Sequence, residues 1–269
     1  MRVITRKPGF TLLISILVLT FSIFLDYSFA KEISEIKDKY TSIYYEDFPP
    51  GKISEPDPRK TALLIVDMQN AFVREDMGDA LKIKEKGKWK KWEYFYDRLK
   101  DIVIPNTKKI LTFFRNNNLE VNHAIIASLH EDGRDRSLVQ KRPGYNDILL
   151  PINSEGAQII DELRPLSDEI VLHKTTDSVL MGTNYERILK NMGVQYVVVA
   201  GIVTDQCVSS TVRSLADAGF YIYVIEDCCA AASSELHDTE LKIINHIYCN
   251  VVSTDLIIEL LKKGLKESK

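Results

Sequence analysis

Residues 195–219 read Q-Y-V-V-V-A-G-I-V-T-D-Q-C-V-S-S-T-V-R-S-L-A-D-A-G, and the apolar period changes partway through. Positions 196–200 are an unbroken, mostly β-branched run, which suits a strand buried on both faces of a parallel sheet. Gly201 ends it. Past a short turn, Cys207, Val208, Val212, Leu215 and Ala216 fall on one side of a helix that Gly219 closes in the position a C-cap prefers. With Thr204 or Asp205 as its cap, this helix carries Cys207 in its first turn, where unpaired N–H groups and the helix dipole favour an anion. A thiol so placed is expected to ionise more readily than a free cysteine and to act as a nucleophile. An isolated cysteine would instead read as a small buried hydrophobe.

Outward from this stretch, 61–66 (T-A-L-L-I-V) is a second apolar strand, and it delivers Asp67 to the carboxyl edge of a sheet, where open α/β folds build their sites. From the residues alone, Asp67 reads equally well as the cap of the next helix. Gln69 and Phe72 follow at a spacing that lets them flank the same pocket. Further strands are predicted at 120–128, 169–173, 220–226 and 251–254, with helices at 104–116, around 235–248 and at the C-terminus. Lys174 closes the apolar 169–173 run, an unusual place for a side chain that is normally solvated. The alternation of strands and helices predicts an α/β fold, doubly wound, with a mainly parallel sheet covered on both faces.

Three motifs occur in one chain order: A-L-L-I-V-D-M-Q-N-A-F at 62–72, I-V-L-H-K at 170–174, and G-x-x-T-x-x-C-V at 201–208. Together they resemble the cysteine hydrolases of the isochorismatase-like superfamily, over residues 61 to the C-terminus. The resemblance implies a three-layer fold in which Cys207 is the nucleophile and Asp67 and Lys174 complete the catalytic group. It implies that the N–H groups of Val203 and Cys207 form an oxyanion hole, with the Ile202–Val203 peptide cis. Substrate contacts are expected from Gln69, Phe72, His130 and Thr204. The implied substrate is a small linear amide, ureido and carbamoyl compounds included, cleaved at its C–N bond through a covalent acyl-enzyme. Members acting on the vinyl ether of isochorismate lack the cysteine. Nicotinamidases of the superfamily hold a metal with a D-x-H arrangement; here the chain reads Ser128-Leu129-His130-Glu131-Asp132, so no metal and no cofactor is expected. Arg134 and Arg142 remain open as contacts for a substrate carboxylate.

The 269-residue chain has a formal net charge of −3, which gives no reason to expect nucleic acid as a partner. Arg2, Arg6 and Lys7, an uncharged apolar run over 10–25 and Ser28-Phe29-Ala30 predict an export signal in residues 1–30, or a membrane anchor if it is retained. Residues 31–60 read as a proline-interrupted arm, and 61–269 as the hydrolase domain. The lysine- and aromatic-rich stretch within 74–106 is expected to be a helix with its rings inward, suited to a lid or to a contact in a homo-oligomer. Four cysteines, Cys207, Cys228, Cys229 and Cys249, are expected to form no structural disulfide, since a domain of this size builds its own core. Two other functions fit the same residues: a thiol redox protein, although no C-x-x-C pair is present, and a ligand-binding protein without turnover.

Overall fold

Six strands organise the structure, a computed structural model that describes residues 31, 33–50, 55–145 and 147–267. They are β1 (Thr61–Val66), β2 (Glu120–Ile126), β3 (Ile170–Lys174), β4 (Tyr196–Ile202), β5 (Tyr221–Ala230) and β6 (Asn250–Val252). Their order across the sheet is β3-β2-β1-β4-β5-β6, and every neighbouring pair is parallel. The predicted doubly wound α/β class is therefore the class observed. The chain steps outward from β1 to β3, then returns to lay β4 along the other side of β1. Where connections diverge in this way, a crevice opens beyond the carboxyl ends of the strands.

The helices whose residues join the sheet's two cores include α1 (Ile104–Asn116), α2 (Tyr185–Asn191), α3 (Ser209–Asp217), α4 (Ser234–Ile244) and α5 (Thr254–Glu267). All six residues of β1 are buried, because successive side chains serve opposite faces and both faces are covered. Leu63 and Ile65 belong to a core with Phe114 of α1 and Leu261 of α5. Leu64 and Val66 belong to the other, with Leu189 of α2, Val212 of α3 and Leu241 of α4.

Several predicted boundaries move. β4 runs on through Gly201 and Ile202, and β5 runs on to Ala230, because Cys229 and Ala230 pair with those two residues after a register shift. The adjacent cysteines are thus strand residues; all four cysteines are free and buried. β6 stops at Val252, since Ser253 turns to cap α5 and its Oγ accepts from the N–H of Leu256 at 3.1 Å. The 74–106 stretch is not one helix. It folds as short pieces, Gly78–Glu85 and Glu93–Arg98 among them, with Phe95 and Tyr96 buried and its lysines outward. In the arm, residues 33–40 are helical and Tyr40 is only 1% exposed; its carbonyl accepts from Asn245 Nδ2 at 3.1 Å. The predicted export signal lies outside the described residues.

Gly201 is a point of close backbone approach between β1 and β4. Its φ is +118°, and a Cβ there would stand 2.0 Å from the carbonyl oxygen of Val66, one residue before Asp67. Gly219, at the C-terminal end of α3, has φ +89° but open space around it. Gly201→Ala is expected to cost about 3 kcal/mol or more, since strain and collision with backbone combine. Gly219→Ala should cost about 1 kcal/mol, for strain alone. Urea midpoints of the two variants check the difference.

Candidate active site

Three of the sequence-predicted residues meet at the carboxyl edge of the sheet. Lys174, last residue of β3, directs its ammonium to three acceptors: Asp67 Oδ2 at 2.8 Å, the Thr176 carbonyl at 3.2 Å and Cys207 Sγ at 3.4 Å. An ammonium has three N–H donors, so this one is fully used. Asp67 and Lys174 are 2% and 1% exposed, and Cys207 is 5% exposed. Asp67 follows β1 at φ +54°, a left-handed turn that an aspartate tolerates better than most residues. The turn is clamped by Gln69, whose amide nitrogen donates to Ile126 O at 2.8 Å while its oxygen accepts from Ile126 N at 2.8 Å. Asp67 Oδ1 is buried and has no hydrogen-bond partner among the described residues.

Burial raises the Asp67 carboxyl above its usual range, against the opposing pull of Lys174. For Lys174, burial alone would lower the ammonium, but the Asp67 carboxylate and the Cys207 sulfur outweigh it and raise it. Cys207 is pushed well above an ordinary thiol, first by burial and then by the Asp67 charge. The expectation of an easily ionised cysteine is therefore corrected: desolvation and a neighbouring anion override the helix-end field. The local geometry differs too. Thr204–Val208 is a π turn in which Val208 N donates to Val203 O at 3.3 Å, and no side chain caps it. The Ile202–Val203 peptide before it is cis.

Thr204 was expected at the substrate; it is instead fully buried against His237, with Thr204 Oγ1 2.8 Å from Nδ1. Arg98 lies 3.0 Å from the other ring nitrogen, Nε2. A guanidinium only donates, so Nε2 accepts and Nδ1 carries the proton toward Thr204. Arg98 also donates to the carbonyls of Cys229 and Glu226, at 2.9 and 2.8 Å. This buried chain fixes the loop that carries Cys207. Nothing in the sequence pointed to it, because Arg98 and His237 are 139 residues apart.

A cavity of about 250 Å³ opens onto Cys207 and Asp67, with Val203 and Phe72 in its wall. Phe72 thus lines this cavity, while Gln69 does not: its carboxamide is consumed in clamping β2. His130, Arg134 and Arg142 are exposed and outside the wall. His130 is drawn away because Asp135, which accepts from the N–H groups of Leu129 and His130, ties that loop to itself. The sequence did not assign much of the remaining wall, which includes Asp79, Trp92, Tyr96, Gln140, Tyr145 and Asp177. The aromatic density of 74–106 was the available signal for Trp92 and Tyr96. Among the described residues, no three His, Cys, Asp or Glu side chains converge as metal ligands would.

This sheet, with an aspartate, a lysine and a cysteine joined at its edge, defines a class of α/β hydrolase, and comparison with known proteins gives it a family. Residues 61–255 match the isochorismatase domain model, and the chain belongs to that hydrolase family. It is 27% identical to an uncharacterized isochorismatase family protein, YrdC, from Bacillus subtilis, over 74% of this chain and 95% of that one. It is 25% identical to a ureidoacrylate amidohydrolase, RutB, from Acinetobacter baylyi, over 79% of this chain and 88% of the relative. A cysteine hydrolase structure from Pseudomonas syringae pv. phaseolicola superimposes with a TM-score of 0.67 at 20% identity, over 80% of this chain and 98% of the other.

Burial holds the His237 pKa below the ordinary 6.5, against the pull of Glu226. Above pH 6.5 the ring is neutral whether the chain is folded or not. As pH falls below 6.5, the unfolded chain takes up a proton that the folded one refuses, and stability declines until the folded pKa is passed. Thermal unfolding between about pH 7 and 5 should therefore show a falling midpoint, with a shallower fall in His237→Gln.

Proposed function

We propose that the chain is a cysteine-dependent amidohydrolase that cleaves the C–N bond of a small linear amide, ureido and carbamoyl compounds among the candidates, through an acyl-enzyme. The observation that carries this reading is the unpartnered Asp67 Oδ1, buried beside a thiol whose ammonium neighbour is already paired. A resting thiol needs a base, and a carboxylate made more basic by burial is a better one than an exposed aspartate. In the first step, the Cys207 proton passes to Asp67 while Sγ forms a bond to the substrate carbonyl carbon. The carbonyl oxygen becomes an oxyanion, for which the N–H groups of Val203 and Cys207 are the candidate donors. As the C–N bond breaks, the proton on Asp67 goes to the departing nitrogen, and ammonia or an amine leaves.

Water then replaces the amine. Asp67 takes one of its protons, the oxygen bonds to the acyl carbon, the C–S bond breaks, and the proton returns to sulfur. Lys174 keeps its proton throughout and holds carboxylate and sulfur in register by opposite charge. The relationship to a ureidoacrylate amidohydrolase supports amide chemistry, as does the presence of the cysteine itself. The redox alternative finds little support: Cys228 and Cys229 are fully buried strand neighbours.

Ammonia release from a panel of small amides tests the reading. Cys207→Ser and Asp67→Asn should each lower kcat/KM by at least about a thousandfold. Retained turnover in Cys207→Ser would remove the proposal, and disulfide exchange surviving that change would favour the redox reading. Lys174→Met should lose activity and also destabilise the fold by about 3–5 kcal/mol, because it strands the Asp67 charge. The acid limb of kcat/KM should lie above the ordinary aspartate range, since Asp67 must be ionised to act and burial raises it.

A further inference from the structure

One polar group in the cavity has no work to do in the free protein. Gln140 lines the wall and is 3% exposed, yet neither its amide nitrogen nor its amide oxygen has a hydrogen-bond partner among the described residues. Its backbone is firmly held: the carbonyl accepts from Arg136 Nη1 at 3.0 Å and from Ile148 N at 3.3 Å, and the N–H donates to Ser137 Oγ at 3.2 Å. A carboxamide kept dry and unpaired on a rigid backbone is costly to the fold unless something that enters the cavity pairs with it. One donor edge beside one acceptor oxygen is the complement of another amide or ureide.

The charge of the wall limits what that ligand can be. Asp67, Asp79 and Asp177 line the cavity, and among the described residues no lysine, arginine or histidine does; the Lys174 ammonium lies behind Asp67 and Cys207, its three donors already used. Asp177 Oδ1 stands 3.9 Å from Cys207 Sγ, so its charge is felt at the reacting atom. Asp79 is met by Lys82 at 3.3 Å, but that ammonium points from outside the wall and is largely solvated. Asp79 lines the same cavity as the aromatic rings of Trp92, Tyr96 and Tyr145. Trp92 stacks on Tyr145 with ring centroids 6.0 Å apart and meets Phe95 edge-on at 5.8 Å, giving an aromatic wall to the cavity that also holds the nucleophile. A carboxylate entering here would lose its water and meet like charges, with no cation of the described wall to pair it.

Taking the amidase reading as its starting point, we infer that Gln140 and this acidic, aromatic wall select an amide without negative charge: the Gln140 carboxamide pairs with the ligand's polar edge, and its body, neutral or cationic, lies on the rings. The cavity volume suits a small molecule.

A matched series tests this: pentanamide, 5-aminopentanamide and 4-carbamoylbutanoate. Binding is read by calorimetry on the Cys207→Ser protein, and turnover by ammonia release from the unsubstituted chain. The neutral and ammonium amides should bind at least about tenfold more tightly than the carboxylate. Asp79→Asn should narrow that gap. Gln140→Met should weaken the favoured ligands about three- to tenfold while leaving the free protein's Tm unchanged or higher, because it removes an unsatisfied amide. A carboxylate that binds as well as the others, no binding by any of the three at millimolar concentration, or a Gln140→Met protein that melts earlier with affinity intact would each overturn the inference. Binding in the expected order without ammonia release would leave the selectivity standing and remove the amidase reading instead.

Discussion

The ammonium of Lys174 is the charge around which the site is arranged. A buried ammonium with no partner would cost several kcal/mol, and this one is tolerated because Asp67, the Thr176 carbonyl and the Cys207 sulfur each accept one of its protons. That requirement reaches into the sheet. β3 and β1 are separated by β2, and with strands about 4.8 Å apart the gap is about 10 Å. A lysine stem crosses it where a shorter side chain would not. β2 ends at Ile126, whose N–H and carbonyl both pair with the Gln69 carboxamide.

A second constraint comes from the opposite side of the nucleophile. Gly201 lets β4 press against the end of β1, and the π turn that follows swings Cys207 toward Asp67. The turn has no capping side chain; its stability comes from Arg98, His237 and Thr204, a buried polar chain joining the 74–106 segment, α4 and the loop. The segment that supplies Arg98 also supplies Trp92 and Asp79 to the cavity. Positioning of the nucleophile and shape of the substrate space therefore share one segment, which links any change in it to both.

The electrostatics divide labour between burial and pairing. Burial holds the thiol protonated and makes the carboxylate more basic, while the lysine keeps the carboxylate ionisable at all. A nucleophile activated on demand suits a wall that bears two further carboxylates, Asp79 and Asp177: a permanent thiolate beside them would add another negative charge to the cavity.

The sequence alone determined the layered α/β fold and the three residues of the edge. Apolar runs such as 61–66 and 196–200 encode strands buried on two faces, and what stands at a strand's carboxyl end is set by the chain itself. Tertiary structure decided everything that depends on solvent and on distant partners. The protonation of Cys207 follows from burial, which no local window of sequence contains. Gln69 and Thr204 were diverted from the substrate to Ile126 and His237, both far along the chain, and Gln140 reached the cavity from a loop with no periodicity to announce it. Local pattern specifies which element forms; which side chain finds a partner, and which is left for a ligand, is settled only when the elements meet.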